Sequence, residues 1–154
     1  MKKLITFVFA LFVLSASAQT STFKKFYKNH KEHSQFSLNV SASMVGSFFS
    51  DDDSDEVADL LKKSGNFKLM VFDNENQTVS KDFKKYIRKH NLKTMVRVKG
   101  DDSKAELYTL EKNNLIKEII FKANSDDDNL VLLGLKTSMT KEELAKLLAN
   151  SDKF

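Results

Sequence analysis

Between Leu92 and Leu135 four apolar runs, Leu92–Val98, Ala105–Leu110, Leu115–Phe121 and Leu130–Leu135, follow one another at a spacing of roughly twelve residues. They are separated by Gly100-Asp-Asp, Asn113-Asn114 and Ser125-Asp-Asp-Asp-Asn129, all rich in residues that reverse a chain. Links this short join antiparallel neighbours, because a parallel crossover needs about a dozen residues or more. The stretch therefore predicts a four-strand antiparallel meander. In its last run both alternating sets are apolar, Leu130 and Leu132 on one side and Val131, Leu133 and Leu135 on the other. That strand is expected at the centre of the sheet or covered on both faces.

The rest of the chain supplies two more strands and the helices. Phe23, Phe26, Tyr27 and His30 recur at helical spacing, and Phe36-Ser-Leu-Asn-Val-Ser-Ala42 alternates as a half-buried strand does, with Ser37, Asn39 and Ser41 as its polar row. Asp53 and Glu56, followed by Val57, Leu60 and Leu61, predict a capped helix ending near Ser64-Gly65. Phe67–Phe72 has few polar positions and reads as an interior strand. Val79, Phe83, Tyr86, Ile87 and His90 form one helical stripe. At the end, Thr140-Lys-Glu-Glu143 makes a capping box, and Met139 is placed to staple onto Leu144. An α+β fold follows: a mainly antiparallel sheet of about six strands, with amphipathic helices packed on one face.

Residues 1–18 are excluded from that fold. Lys2 and Lys3 precede an apolar run from Leu4 to Leu14 that, as a helix, spans roughly 16 Å, about half of what a bilayer crossing needs. Ala16-Ser17-Ala18 then offers the small-x-small pattern of signal-peptide cleavage, with the cut expected between Ala18 and Gln19. The expectation is a periplasmic or secreted protein with a single domain over residues 19–154 and no transmembrane segment in its mature chain. The sequence has no cysteine, so neither a lipoprotein anchor nor a disulfide is expected, and packing alone must hold the domain. It also lacks proline.

Cleavage would remove Lys2 and Lys3 and leave 23 basic against 21 acidic side chains. The distribution is less even, since Ser50–Leu61 holds six acids and no base while Lys62–Gly100 holds eleven bases and three acids. Asp51, Asp53 and Asp55 fit the first positions of a calcium loop. Glu56 then stands where glycine must turn the chain, and Lys62 where a bidentate glutamate must close it. Carboxylates at a helix start need no metal, because the macrodipole favours them there. His30 and His33 are spaced for one side of a helix and are a weak transition-metal pair lacking a third ligand in sequence. Ser21-Thr-Phe-Lys24 matches the S-x-x-K of serine acyl-enzymes without that motif's companions. Lys81, Lys84, Lys85, Arg88, Lys89, Lys93, Arg97 and Lys99 form a basic stripe suited to an anionic surface.

The runs FKKFYKNH from Phe23, FSLNVSASMV from Phe36, and the long stretch from Tyr86 to Leu148 carry a resemblance. The chain resembles the small exported proteins of a Gram-negative bacterial family, domain-of-unknown-function family 4252. The resemblance implies an exported α+β domain and transfers no site residue, since its pattern is one of strands and turns.

The functional expectation is a non-catalytic binding or accessory protein of the bacterial envelope, needing no cofactor. Its partner would be an unknown envelope protein or lipid surface and not nucleic acid, which an exported protein rarely meets. The alternative is a divalent-metal or small-ligand/lipid-binding envelope protein, with His30, His33, Asp51, Asp53 and Asp55 as the metal candidates.

Overall fold

The computed structural model describes residues 21–46, 62–101, 103–124 and 128–150. The expected leader and its expected cut, Asp51, Asp53 and Asp55, and nearly all of the helix expected from Asp53 to Ser64 lie outside the described residues.

The meander is present. Strands β3 (Lys93–Lys99), β4 (Lys104–Lys112), β5 (Leu115–Asn124) and β6 (Asn129–Met139) run in chain order, joined to β1 (Phe36–Val40) and β2 (Phe67–Asp73) in a six-stranded sheet. The spatial order is β1-β2-β6-β5-β4-β3, and every pairing is antiparallel. The β4–β5 hairpin turns on Asn113 and Asn114, at φ 54° and 61°, the left-handed pair that a two-residue turn between twisted strands requires. β6 lies between β2 and β5, as its doubly apolar sequence demands.

Two helices cover the front face of this sheet. Helix α1 (Thr22–His30) contributes Phe23, Phe26 and Tyr27, and helix α3 (Thr78–Lys89) contributes Phe83 and Tyr86. They pack on Met70, Phe72, Tyr108, Ile120, Leu130 and Leu132 from the strands. The rings meet mostly edge to face or tilted, as aromatic quadrupoles prefer: Phe26 with Phe83 at 5.7 Å and 75°, and Phe83 with Tyr108 at 5.7 Å and 78°. Phe23 is 2% exposed and lies over Gly134 of β6, where a Cβ would come within 2.1 Å of its ring. The missing side chain is the socket in which α1 seats.

A short helix α2 (Ala42–Gly46) follows β1, and α4 (Lys141–Asn150) follows β6. Helix α4 departs from the expected one-sided arrangement. Its Leu144 and Leu147 pack with Leu107, Ile119 and Leu135, which alternate along their strands with Tyr108, Ile120 and Gly134 and so lie on the back face. That face needs cover because its positions are apolar too. The capping box forms as expected: Glu143 N–H donates to Thr140 Oγ1 at 3.2 Å and Thr140 N–H donates to Glu143 Oε2 at 2.8 Å. Met139 joins the same cluster as Leu144, as the staple requires.

β1 corrects the sequence reading in one respect. It is a strand, but an edge strand whose Phe36 and Leu38 are 51% and 44% exposed, where the alternation predicted a buried row. Alternation reports which residues share a face, and not whether another layer covers it.

A lysine-lined cleft as the candidate functional site

Helix α1 covers the middle of the front face and leaves the β1–β2 corner open. Beside it lies a cleft of about 790 Å³. Its floor comes from the sheet: Asn39, Lys68 and Gly134 are register partners across β1, β2 and β6, and Asn66, Gly65 and Lys136 extend the floor toward the strand ends. Its wall is α1 with the residue that caps it: Lys24 and Lys28 of the helix and Lys31 just past its end follow at i, i+4 and i+7, on one side beside Tyr27.

Five ammonium groups therefore border one cleft, and among the described residues no carboxylate lines it. Lys31 reaches Glu32 at 3.7 Å, an exposed pair of little strength. Among the described residues, Lys24, Lys28, Lys68 and Lys136 have no carboxylate at ion-pair distance. Lys68 is half-buried, and that burial, followed by repulsion from Lys24, pushes its amine below the ordinary lysine range, while Glu118 opposes the shift. Asn66 Nδ2 donates to Asn39 Oδ1 at 3.2 Å, so the floor also presents amide N–H groups.

Glu118 explains why α1 stands where it does. The carboxylate is 3% exposed and sits at the start of the helix, accepting from Thr22 N–H at 2.5 Å, Thr22 Oγ1 at 2.8 Å and Phe23 N–H at 3.2 Å. Tyr86 of α3 donates to it at 3.4 Å, which ties the two helices and β5 into one network. Two N–H groups left over at a helix start are thereby satisfied by a negative charge that the macrodipole favours. Burial, then the Glu118 charge, holds the Tyr86 hydroxyl far above its ordinary range and keeps it a donor. Ser21 of the S-x-x-K match is the cap of the same helix, its Oγ accepting from Lys24 N–H at 3.3 Å.

Residues 27–147 match the family model described as a domain of unknown function, DUF4252. The chain belongs to this family. No curated protein and no solved structure matches the chain. In this DUF4252 member the matched span holds most of the cleft, including Lys28, Lys31, Asn39, Asn66, Lys68, Gly134 and Lys136, and begins after Ser21, Phe23 and Lys24.

The residues singled out in sequence are placed elsewhere. His30 faces two acceptors: its Nδ1 donates to Phe26 O at 2.9 Å, and its Nε2 lies 3.4 Å from Asp82 Oδ2 on α3. That hydrogen bond, which outweighs the burial acting against it, draws the Asp82 carboxyl below the usual carboxylate range. His33 is exposed on the single 3₁₀ turn Lys31–His33. Among the described residues no three His, Asp or Glu side chains are grouped to hold a metal ion, and Asp51, Asp53 and Asp55 lie outside them. The basic stripe is partly engaged: Lys85 pairs with Asp82, Lys93 with Glu111 at 3.1 Å, and Arg97 with Glu106 at 2.8 Å. Of the polar row Ser37, Asn39 and Ser41, only Asn39 reaches the cleft. Among the described residues no helix is long and apolar enough to cross a membrane.

The cleft lysines were missed because they are scattered from residue 24 to residue 136. A signal existed: Lys68 and Lys136 interrupt apolar strands at positions that alternate onto the inward face.

Proposed function

We propose that the protein is an exported, non-catalytic binding protein of the envelope, released after Ala18, and that its ligand occupies the cleft between α1 and the β1–β2–β6 corner. The observation that carries this is the convergence of Lys24, Lys28, Lys68 and Lys136 on one concave surface with no counter-ion among the described residues. Like charges gathered without partners repel, and a fold keeps such an arrangement at the expense of its own stability, which a binding role accounts for. The hydroxyls at the cleft support binding over chemistry. Ser21 caps α1, and Tyr27 stands among ammonium groups, which do not act as its base while protonated.

The test is a photo-crosslinking residue in place of Lys31, on the rim of the cleft, in the native host. A discrete adduct in the envelope fraction supports the reading, provided that the same probe at Lys84, on the outer side of α3, gives none. Equal labelling from both positions, no adduct, or turnover of a substrate library by the purified protein refutes it. The mass of the exported protein should begin at Gln19. An intact leader in cytosolic material refutes the export part.

A further inference from the structure

We infer that the cleft takes a ligand bearing two or more phosphoryl groups, bound through Lys24, Lys28, Lys68 and Lys136, an assignment that rests on the cleft being the binding site. The grouping of the cations carries the argument. Among the described residues, every basic side chain lining the cleft is a lysine. Lysine acts as a point charge on a flexible stem and suits a compact tetrahedral oxyanion approached from several directions. The lysines come from three separate elements, α1, β2 and β6, so they surround a volume where a linear arrangement would track an extended chain.

Capacity and floor chemistry agree. About 790 Å³ accommodates a small molecule or a lipid headgroup with several anionic groups. Four cations without carboxylate partners balance at least two phosphoryl groups, whereas a single phosphate would leave charge uncompensated. The floor adds the Asn39 and Asn66 amides, neutral donors for oxygens that the ammonium groups do not reach. Phe23 and Tyr27 supply apolar lining next to them, which suits a headgroup with attached carbon more than bare inorganic phosphate. Burial of Lys68 works in the same direction, since a bound anion restores the stabilisation that its ammonium group loses to the protein.

Two probes distinguish the sources of that chemistry: inorganic tripolyphosphate by titration calorimetry, and vesicles of cardiolipin, whose headgroup carries two phosphoryl groups, in phosphatidylcholine by co-sedimentation. The exported chain is compared with a Lys24→Ala/Lys28→Ala double variant and with Lys81→Ala/Lys84→Ala. Each double variant removes two exposed helical lysines, so net charge falls equally and alanine sustains both helices. The cleft pair should weaken binding about tenfold or more, the loss of at least one charge-assisted contact, while the control pair changes it less than about twofold. Tripolyphosphate binding with this pattern supports a soluble ligand, and vesicle binding with the same pattern supports a headgroup. Equal weakening by both pairs, or no binding of either probe at millimolar concentration, overturns the inference. If the Lys31 crosslink still forms in the envelope and tripolyphosphate does not compete with it, the phosphoryl assignment falls while the binding role stands; if no crosslink forms, the binding role itself falls.

Discussion

Replacing Gly134 by alanine tests the seating of α1 directly. The added Cβ would lie 2.1, 2.4 and 2.6 Å from Cδ1, Cε1 and Cγ of Phe23, well inside van der Waals contact. The neighbour is the body of an aromatic ring that is 2% exposed and stacked against Phe26, so it cannot swing into solvent. Either the ring leaves its rotamer or α1 lifts from the sheet. Overpacking of this kind costs about 1–3 kcal/mol, against a gain of about 0.4–1 kcal/mol from the stiffer unfolded chain, so a net loss of about 1–2 kcal/mol is expected. For a domain of this size that lowers Tm by roughly 3–10 °C. Urea and thermal unfolding followed by circular dichroism measure it. A double-mutant cycle locates the cause: combined with Phe23→Leu, whose branched chain leaves the space above β6 less filled, Gly134→Ala should lose at least half its effect. Unchanged or raised stability of Gly134→Ala alone, or strict additivity in the cycle, would refute the socket.

Glu118→Gln keeps the shape but removes the charge facing Thr22 N–H, Phe23 N–H and Tyr86 OH; a loss of about 2–3 kcal/mol is expected, with amide exchange accelerated first in α1. Glu106 is buried, which raises its pKa, but hydrogen bonds from Lys104 and Tyr108 and the charges of Lys122 and Lys104 outweigh this and hold it down to about 2. A carboxyl depressed in the folded state contributes stability that is fully present above its unfolded pKa near 4.5 and is lost as pH falls toward 2. Glu106→Gln should therefore flatten the pH dependence of unfolding between about pH 4.5 and 2, and an unchanged slope would count against the network. Thr140→Ala removes the acceptor for Glu143 N–H and should cost about 1 kcal/mol by thermal melting, with α4 fraying first.

The parts of the fold that were legible in the sequence are those decided within a few residues. Asn113-Asn114 is a turn because both residues tolerate the left-handed backbone, and Thr140 to Glu143 is a helix start because the two groups bond each other. The α3 stripe of Phe83 and Tyr86 and the central place of β6 follow from periodicity in the same way. What escaped depends on which surfaces meet. The exposure of Phe36 and Leu38 depends on which layer covers their face of the sheet, and the back-face position of α4 on apolar residues of β4, β5 and β6 that look alike from either side. The cleft needed Lys24 and Lys136 brought to one place, which no local pattern encodes. Glu118 left a trace: a carboxylate within Leu115–Phe121, at an inward position, has to find donors.

The seating of Phe23 on Gly134 joins almost the first described residue to one of the last strands. A polypeptide delivered N-terminus first therefore carries α1 as an unsheltered greasy segment until β5 and β6 have both arrived. The meander closes through near neighbours and can assemble early, whereas the helix must wait for an anchor more than a hundred residues downstream.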